Sequence, residues 1–274
     1  MQERARRADV LLGLREDGEE KLTAFRDLFS RAAAEYAAHR PRYPRRLFAE
    51  LATRAPRTEL AWDCATGNGQ AALGLAEHFR RVIATDASAA QIASALEHDR
   101  VAYRVALAEA SDLPSSVVDL VTVAQAAHWL DRDAFYREAR RVLVPGGVIA
   151  IWCYSLLEID ERVDALVRTF YEETVGPFWL QDRRLVDVGY RTLDFPFDEF
   201  ELPPLTIEQD LTLDQLAGYL RTWSATQRYA EARGEDPVAP LIAAIAASWG
   251  NRAAARRARW PLSIRAGYRD RRAG

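Results

Sequence analysis

The chain has 274 residues, 49% of them hydrophobic and 28% charged, which is enough apolar material for one sizeable α/β core with additions. A net charge of −3 argues against a broad basic surface for nucleic acid, and no apolar run approaches the roughly 20 residues that span a bilayer. Two cysteines, Cys64 and Cys153, and four dispersed histidines give neither a disulfide framework nor metal-ligand spacing, which predicts a metal-free protein of a reducing, cytoplasmic setting.

Residues 1–20 are charged throughout, and the Val10–Leu14 run is too short for a signal peptide, so this segment is expected to be mobile or loosely attached. Residues 21–274 are expected to form a single domain. Lys21–Ala38 sets Leu22, Phe25, Leu28, Phe29, Ala33 and Tyr36 at helical intervals; Pro41 and Pro44 stop that helix, and Arg45–Arg54 reads as a second. Strands are predicted near 60–64, 81–86, 101–107, 117–124 and 146–153, with helices near 70–79, 88–98 and 131–142. Such alternation predicts a mainly parallel sheet covered on both faces, with ligands outside the carboxyl ends of the strands. Beyond Tyr154 the rhythm changes. A helix over Asp160–Thr174 is followed by a strand over Leu193–Leu202. A helix over Thr212–Thr222 carries Gln215 in a capping box, 238–249 is an apolar helix, and Trp260–Ala266 is a last strand. The core then covers about 55–154. Residues of about 155–258 read as a helical insertion packed over the strand ends as a lid, before a last strand at about 258–267.

The first strand ends in Asp63, and the loop after it holds Gly67 and Gly69 before a helix-compatible run from Gln70. Glycines bare the backbone to a ligand, and a helix start offers free N–H groups. The second strand ends in another carboxylate, Asp86, whose place suits ribose hydroxyls. Asp63 repels a pyrophosphate and favours a cationic nucleoside, which points to S-adenosylmethionine over NAD.

Asp63-Cys-Ala-Thr-Gly67-Asn-Gly69 resembles the D-x-G-x-G-x-G signature of class I S-adenosylmethionine-dependent methyltransferases. The likeness continues through Asp86, the loop Glu109-Ala-Ser-Asp-Leu-Pro114, Val118–Gln125 with His128-Trp129 after it, and Arg140–Trp152. It is closest to the branch that includes trans-aconitate-type small-molecule enzymes, which shares the Tyr36…Arg40-Pro-Arg-Tyr-Pro44 lead-in. The resemblance implies a Rossmann-like, mainly parallel seven-stranded sheet with helices on both faces, N-terminal helices and the insertion after the fifth strand. It implies that Asp63, Ala65, Thr66, Gly67, Gly69, Gln70, Asp86, Ala87, Glu109, Ala110, Gln125 and Tyr36 hold the cofactor. Ala65 stands where the first glycine of the signature belongs.

Methyl transfer from a sulfonium mainly requires alignment, so the chain needs no nucleophilic side chain and shows none in a recognisable motif. His128 reads as a general base or as an ordered packing residue. Arg40, Trp129, Trp152, Tyr154, Arg183, Tyr219 and Trp223 are candidates for the acceptor pocket. Aromatic walls with guanidinium forks suit a small, partly apolar acid, and an ionised carboxylate attacks a methyl group without a base. The leading function is transfer of a methyl group to a small molecule, by a monomer or homodimer. The alternatives are a dinucleotide-dependent oxidoreductase and a non-catalytic cofactor-binding protein of the same fold.

Overall fold

A computed structural model describes residues 40–270. Helix α1 (Arg45–Arg54) turns Leu47, Phe48 and Leu51 into the core. It is followed by β1 (Leu60–Cys64), α2 (Gln70–Ala76), β2 (Arg81–Asp86), α3 (Ala89–Ala93), β3 (Val101–Val105) and β4 (Val118–Ala124). A 3-10 turn at Ala127–Trp129 leads to α4 (Arg132–Val142) and β5 (Leu143–Tyr154). Then come α5 (Glu161–Thr169), extended by a π turn at Phe170–Thr174, then α6 (Arg183–Asp187), β6 (Asp198–Phe200), β7 (Thr206–Leu211), α7 (Leu213–Arg221), α8 (Ser224–Arg233), α9 (Val238–Trp249) and β8 (Arg256–Tyr268).

The strands lie in the order β3-β2-β1-β4-β5-β8-β6, seven along the main path, and β7 pairs with β8 off it. The β1–β2, β1–β4, β2–β3 and β4–β5 pairs are parallel, whereas β8 runs antiparallel to its neighbours. This is the expected Rossmann-like sheet. Its order reverses between β1 and β4, so the loops after those two strands diverge and open a crevice at their carboxyl ends. Three sealed apolar clusters cover the sheet faces and the helices beyond β5, centred on Trp62, Trp152 and Trp260.

Several boundaries differ from the sequence reading. The expected helix over 88–98 closes after Ala93; Ser88 caps its start by accepting from the Gln91 N–H at 3.3 Å. Strand β5 begins at Leu143 because the Pro-Gly-Gly bend is taken up as an irregularity in the ladder, with Gly146 at φ 71°. The strand expected over Leu193–Leu202 shrinks to β6. Leu193, Phe195 and Phe197 alternate into the core, but no ladder pairing begins before Asp198 meets Tyr268. Three elements lie outside the sequence reading: α6, β7, which follows Pro203-Pro204, and α8. The predicted last strand extends to Arg256, so its first half pairs with β7 and its second with β5. The expected helix over Lys21–Ala38, with Tyr36, and the segment 1–20 lie outside the described residues.

Candidate functional site

The loop after β1 is built on three successive left-handed turns of the backbone. Ala65, Gly67 and Gly69 have φ of 54°, 58° and 90°. Only glycine adopts this region without penalty, so Ala65 carries strain that the signature glycine would avoid. The Thr66 N–H donates to the Thr85 carbonyl at 2.9 Å and the Gly69 N–H to the Thr66 carbonyl at 3.0 Å, which ties the loop to β2.

Asp63 lies beneath this loop and is sealed from solvent. Its carboxylate accepts from Thr66 Oγ1 on the loop and from Thr122 Oγ1 on β4, its register partner in the ladder, at 2.7 Å. Burial outweighs these donors and lifts its pKa from 3.8 to about 6. Asp63 is thus an unexposed negative group behind the crevice floor. Asp86 reaches the wall: its Oδ2 accepts from the Gly67 N–H at 2.9 Å and its Oδ1 from the Ser88 N–H at 2.8 Å. Each oxygen keeps a lone pair for a further donor. Burial raises its pKa also, against the two backbone donors.

The crevice is lined by Ala65, Thr66, Gly67, Asn68, Gln70 and Ala71 on one side. Asp86 and Gln91 stand at one end, and Ala124, Gln125, Ala126, Trp129 and Tyr154 on the other side, with Arg40 and Tyr43 across the top. Gln125 itself has φ 57°, and its amide clamps the Tyr154 backbone at both ends, Nε2 to the carbonyl and Oε1 from the N–H, each at 2.9 Å. Its side chain therefore fastens the end of β4 to the end of β5 and is committed there. Tyr43 packs edge-on against Trp152 with ring centroids 5.5 Å apart.

A second chamber adjoins the first and shares Arg40, Gln125 and Trp129 with it; His128, Trp179, Leu180, Arg183, Trp223 and Ser224 complete it. Arg40 donates to Tyr154 Oη at 3.3 Å and to the Thr222 carbonyl at 3.2 Å, so it joins the β5 end to the segment after it. Arg183 stacks on Trp179 with its guanidinium 4.6 Å from the ring, and its Nε donates to Tyr171 Oη at 3.0 Å. His128 is buried at the chamber wall with Nδ1 2.9 Å from Tyr190 Oη.

Of the residues expected at the cofactor, Ala65, Thr66, Gly67, Gln70, Asp86 and Gln125 line the crevice. Asp63 lies behind it. Gly69 turns the loop, and a Cβ there would meet Tyr103 Oη at 2.2 Å. Ala87 is half-buried between Asp86 and Ser88, off the wall, while Glu109 and Ala110 are exposed beyond β3, where the chain doubles back through a Leu107–Ala110 bridge. Tyr36 is outside the described residues. Of the acceptor candidates, Arg40, Trp129 and Tyr154 line the first chamber and Arg183 and Trp223 the second, whereas Trp152 and Tyr219 are buried and line neither. They act from beneath, Trp152 under Tyr43 and Tyr219 under Arg40, whose guanidinium is 5.8 Å from its ring. Lining residues outside the sequence reading include Asn68, Ala71, Gln91, Ala124, Ala126, Leu180 and Ser224, and Tyr190 stands behind His128. Among the described residues no cluster of His, Cys, Asp and Glu is arranged to hold a metal, and no helix is long and apolar enough to cross a membrane.

The crevice suits a cationic nucleoside. Its wall presents Asp86 with acceptor capacity on both oxygens, a second acid lies behind the floor, and the loop glycine Gly67 has open space where a Cβ would stand, with only Gln91 Oε1 at 3.8 Å. A diphosphate there would face both carboxylates.

Comparison with known proteins agrees. Residues 62–151 match the model of a methyltransferase domain family. A protein of Dictyostelium discoideum named as a methyltransferase is 34% identical over 218 residues, covering 78% of this chain and 83% of that one. A Saccharomyces cerevisiae protein described as an S-adenosylmethionine-dependent methyltransferase is 24% identical over 251 residues, covering 78% and 84%. A solved structure from Anaeromyxobacter dehalogenans, described as a type II methyltransferase, superimposes with a TM-score of 0.80 at 47% identity, covering 85% of this chain and 99% of that one.

Proposed function

Since the chain belongs to the class I S-adenosylmethionine-dependent methyltransferases, we propose that it methylates a small-molecule acceptor held in the second chamber, at a carboxylate oxygen. The observation that carries this reading is the contact between the two chambers: they share Arg40, Gln125 and Trp129, and the one beyond them combines tryptophan walls with the Arg183 guanidinium. A planar fork of that kind pairs with a carboxylate through two parallel hydrogen bonds.

Asp86 would hold the ribose hydroxyls of the cofactor, the Thr66–Asn68 backbone and Gln70 would flank its amino-acid end, and Asp63 would oppose its positive charge from behind the floor. The bound cofactor supplies an electrophilic methyl carbon. The residues of this chain then orient the acceptor: Arg183 pairs with the acid, and Trp129 and Trp223 exclude water from its apolar body. Holding two reactants in line lowers a barrier by on the order of 7–11 kcal/mol, so alignment supplies the main part of the rate. No proton has to leave a carboxylate before it attacks. We further infer that 155–258 serves as the lid of a single domain, and that the enzyme works as a monomer or homodimer in the cytoplasm.

Incubation of the protein with S-adenosylmethionine and a panel of small acids, phenols and amines, followed by mass spectrometry, tests this. Base-labile methyl esters of acids are expected. Methylation confined to phenols or amines would overturn the carboxylate assignment.

A further inference from the structure

The pair His128–Tyr190 plays no part in the alignment described above. Tyr190 is wholly buried in the cluster that includes Val186, Leu193 and Phe195. Its backbone is left-handed, with φ 59°, directly after Gly189 at φ 62°. A bulky aromatic residue in that region is a rare and strained choice, and such residues gather at functional sites. Two features hold the turn. A Cβ on Gly189 would meet Ser263 Oγ at 2.5 Å, so the chain runs close against β8, and Arg265 Nη1 donates to the Tyr190 carbonyl at 3.3 Å. The outcome is a phenol driven inward until its oxygen stands 2.9 Å from His128 Nδ1.

The position of the proton in that contact follows from counting partners. A buried phenol must place its hydrogen on an acceptor, and among the described residues the only side-chain atom bonded to Tyr190 Oη is His128 Nδ1. If the imidazole were the donor, the phenol hydrogen would be sealed in the core with nothing to accept it. Tyr190 therefore donates, Nδ1 accepts, and in the neutral ring the hydrogen is on Nε2. Nε2 bonds to no described residue, yet it is not one of the buried unpartnered atoms, and its ring lines the second chamber. Burial, reinforced by Arg183 and Arg132, holds the ring's pKa down to about 3, and the imidazole is neutral at working pH.

We infer that Tyr190 locks His128 in the Nε2–H tautomer, so that His128 donates a hydrogen bond to an anionic oxygen of the acceptor and does not serve as a base. The inference rests on the acid-acceptor reading for the partner of Nε2, but the tautomer itself does not depend on it. Tyr190 is a positioning residue. The pair makes the chamber selective: an acceptor that arrives already ionised gains a donor beside Arg183, whereas one that must lose a proton on the way finds no nitrogen lone pair to take it.

The test uses the full chain labelled with 15N-histidine. Nitrogen-detected imidazole spectra, with the His128 signals identified by their loss in His128→Gln, are expected to show Nε2 protonated and Nδ1 bare. In Tyr190→Phe the population is expected to shift toward the Nδ1–H form, and the acceptor KM to rise several-fold while S-adenosylhomocysteine binds as before. A wild-type Nδ1–H ring overturns the inference whatever the substrate proves to be. Kinetics separate donor from base. A hydrogen bond to a charged oxygen lost in His128→Leu corresponds to about 10- to 100-fold in kcat/KM, and His128→Gln, which keeps an N–H, is expected to recover most of it. If Gln is as inactive as Leu, with losses of about 100- to 10,000-fold in kcat, the residue is a base and the inference fails. A protein that methylates no acid but shows the Nε2–H ring would defeat the acceptor assignment and leave the lock standing.

Discussion

The sealed carboxylate behind the glycine loop makes cofactor affinity depend on pH in a calculable way. Asp63 has no exposed surface, and its pKa rises from 3.8 to about 6 because desolvation exceeds what Thr66, Thr122 and the Ala72 amide return; the charge of Asp86 adds to the rise. At about 1.4 kcal/mol per pKa unit, ionised Asp63 costs the ligand-free fold about 3 kcal/mol relative to its protonated form. The sign follows from linkage: the native state binds this proton more tightly than the unfolded chain, so stability from this group falls as pH rises from about 4 to 6. A sulfonium in the crevice favours the ionised form and must expel the proton. Affinity for S-adenosylmethionine is therefore expected to strengthen about tenfold between pH 5 and pH 7, the range that straddles that pKa. S-adenosylhomocysteine, which lacks the sulfonium charge, is expected to show a smaller slope. Titration calorimetry at three pH values, in two buffers of different ionisation enthalpy, reads both affinity and released protons. Asp63→Asn should flatten the slope, weaken binding at pH 7 and raise the melting temperature of the ligand-free protein. A slope unchanged in Asp63→Asn would assign the titration to Asp86 and refute the reasoning for Asp63.

Three further outcomes follow from the geometry. Ala65→Gly removes a left-handed alanine at φ 54°, a cost of roughly 1–2 kcal/mol, and adds unfolded-state entropy worth about half of it, so thermal unfolding should show a net gain of about 0.5–1 kcal/mol. Glu138, held down to about 2 by Arg141 and Ser111, contributes stability that is complete above its usual carboxylate range and lost as pH falls through about 2; with Arg141 well exposed, Glu138→Gln should cost about 1–2 kcal/mol at pH 7 by urea unfolding, and the difference from wild type should vanish near pH 2. Gln125→Leu strips both hydrogen bonds from the Tyr154 backbone and should cost about 1–3 kcal/mol in the same assay, together with weaker S-adenosylhomocysteine binding by calorimetry.

The parts of the site that were readable from the sequence are those built by consecutive residues. Leu60–Cys64 and Arg81–Asp86 form strands at the expected positions because each is a short apolar run closed by a carboxylate, and Gly67 and Gly69 do turn the backbone through left-handed conformations between the first strand and its helix. Ser88, and not Asp86, caps the next helix, which leaves Asp86 facing the crevice. What stayed hidden depends on partners distant in the chain. Thr122 meets Asp63 only through the β1–β4 register, and nothing near Thr122 signals a carboxylate. Tyr190 is 62 positions from His128 and lies just before the Leu193–Leu202 stretch that reads as a strand, so nothing local marks it. Helix α8 buries only Ala225 and Thr226, so it carries no apolar stripe to detect.

The same contrast separates cofactor recognition from acceptor recognition. The nucleoside crevice is a property of the sheet: it opens where the strand order reverses, it is lined by the loop after β1 and by the strand-end acid Asp86, and Asp63 lies behind it. The second chamber is a property of the join between that sheet and the segment after β5. Its sheet-side wall is Gln125, His128 and Trp129, and its far wall is Trp179, Leu180, Arg183, Trp223 and Ser224. The far wall is held by its own contacts, with Tyr171 bonded to both Asp187 and Arg183, and Trp223 packed against Phe170, Tyr171, Trp179 and Tyr219. Contacts that cross the join near the chamber include Arg40, bonded to both Tyr154 and the Thr222 carbonyl, Tyr190 to His128, and Cys153 Sγ to the Val186 carbonyl at 3.8 Å. Substitutions within the far wall can therefore change which acceptor fits while the crevice keeps its geometry. Arg40 and Gln125 line both chambers, so loss of either is expected to affect both ligands at once, whereas loss of the Tyr190 contact to His128, which lines the second chamber alone, is expected to act on the acceptor.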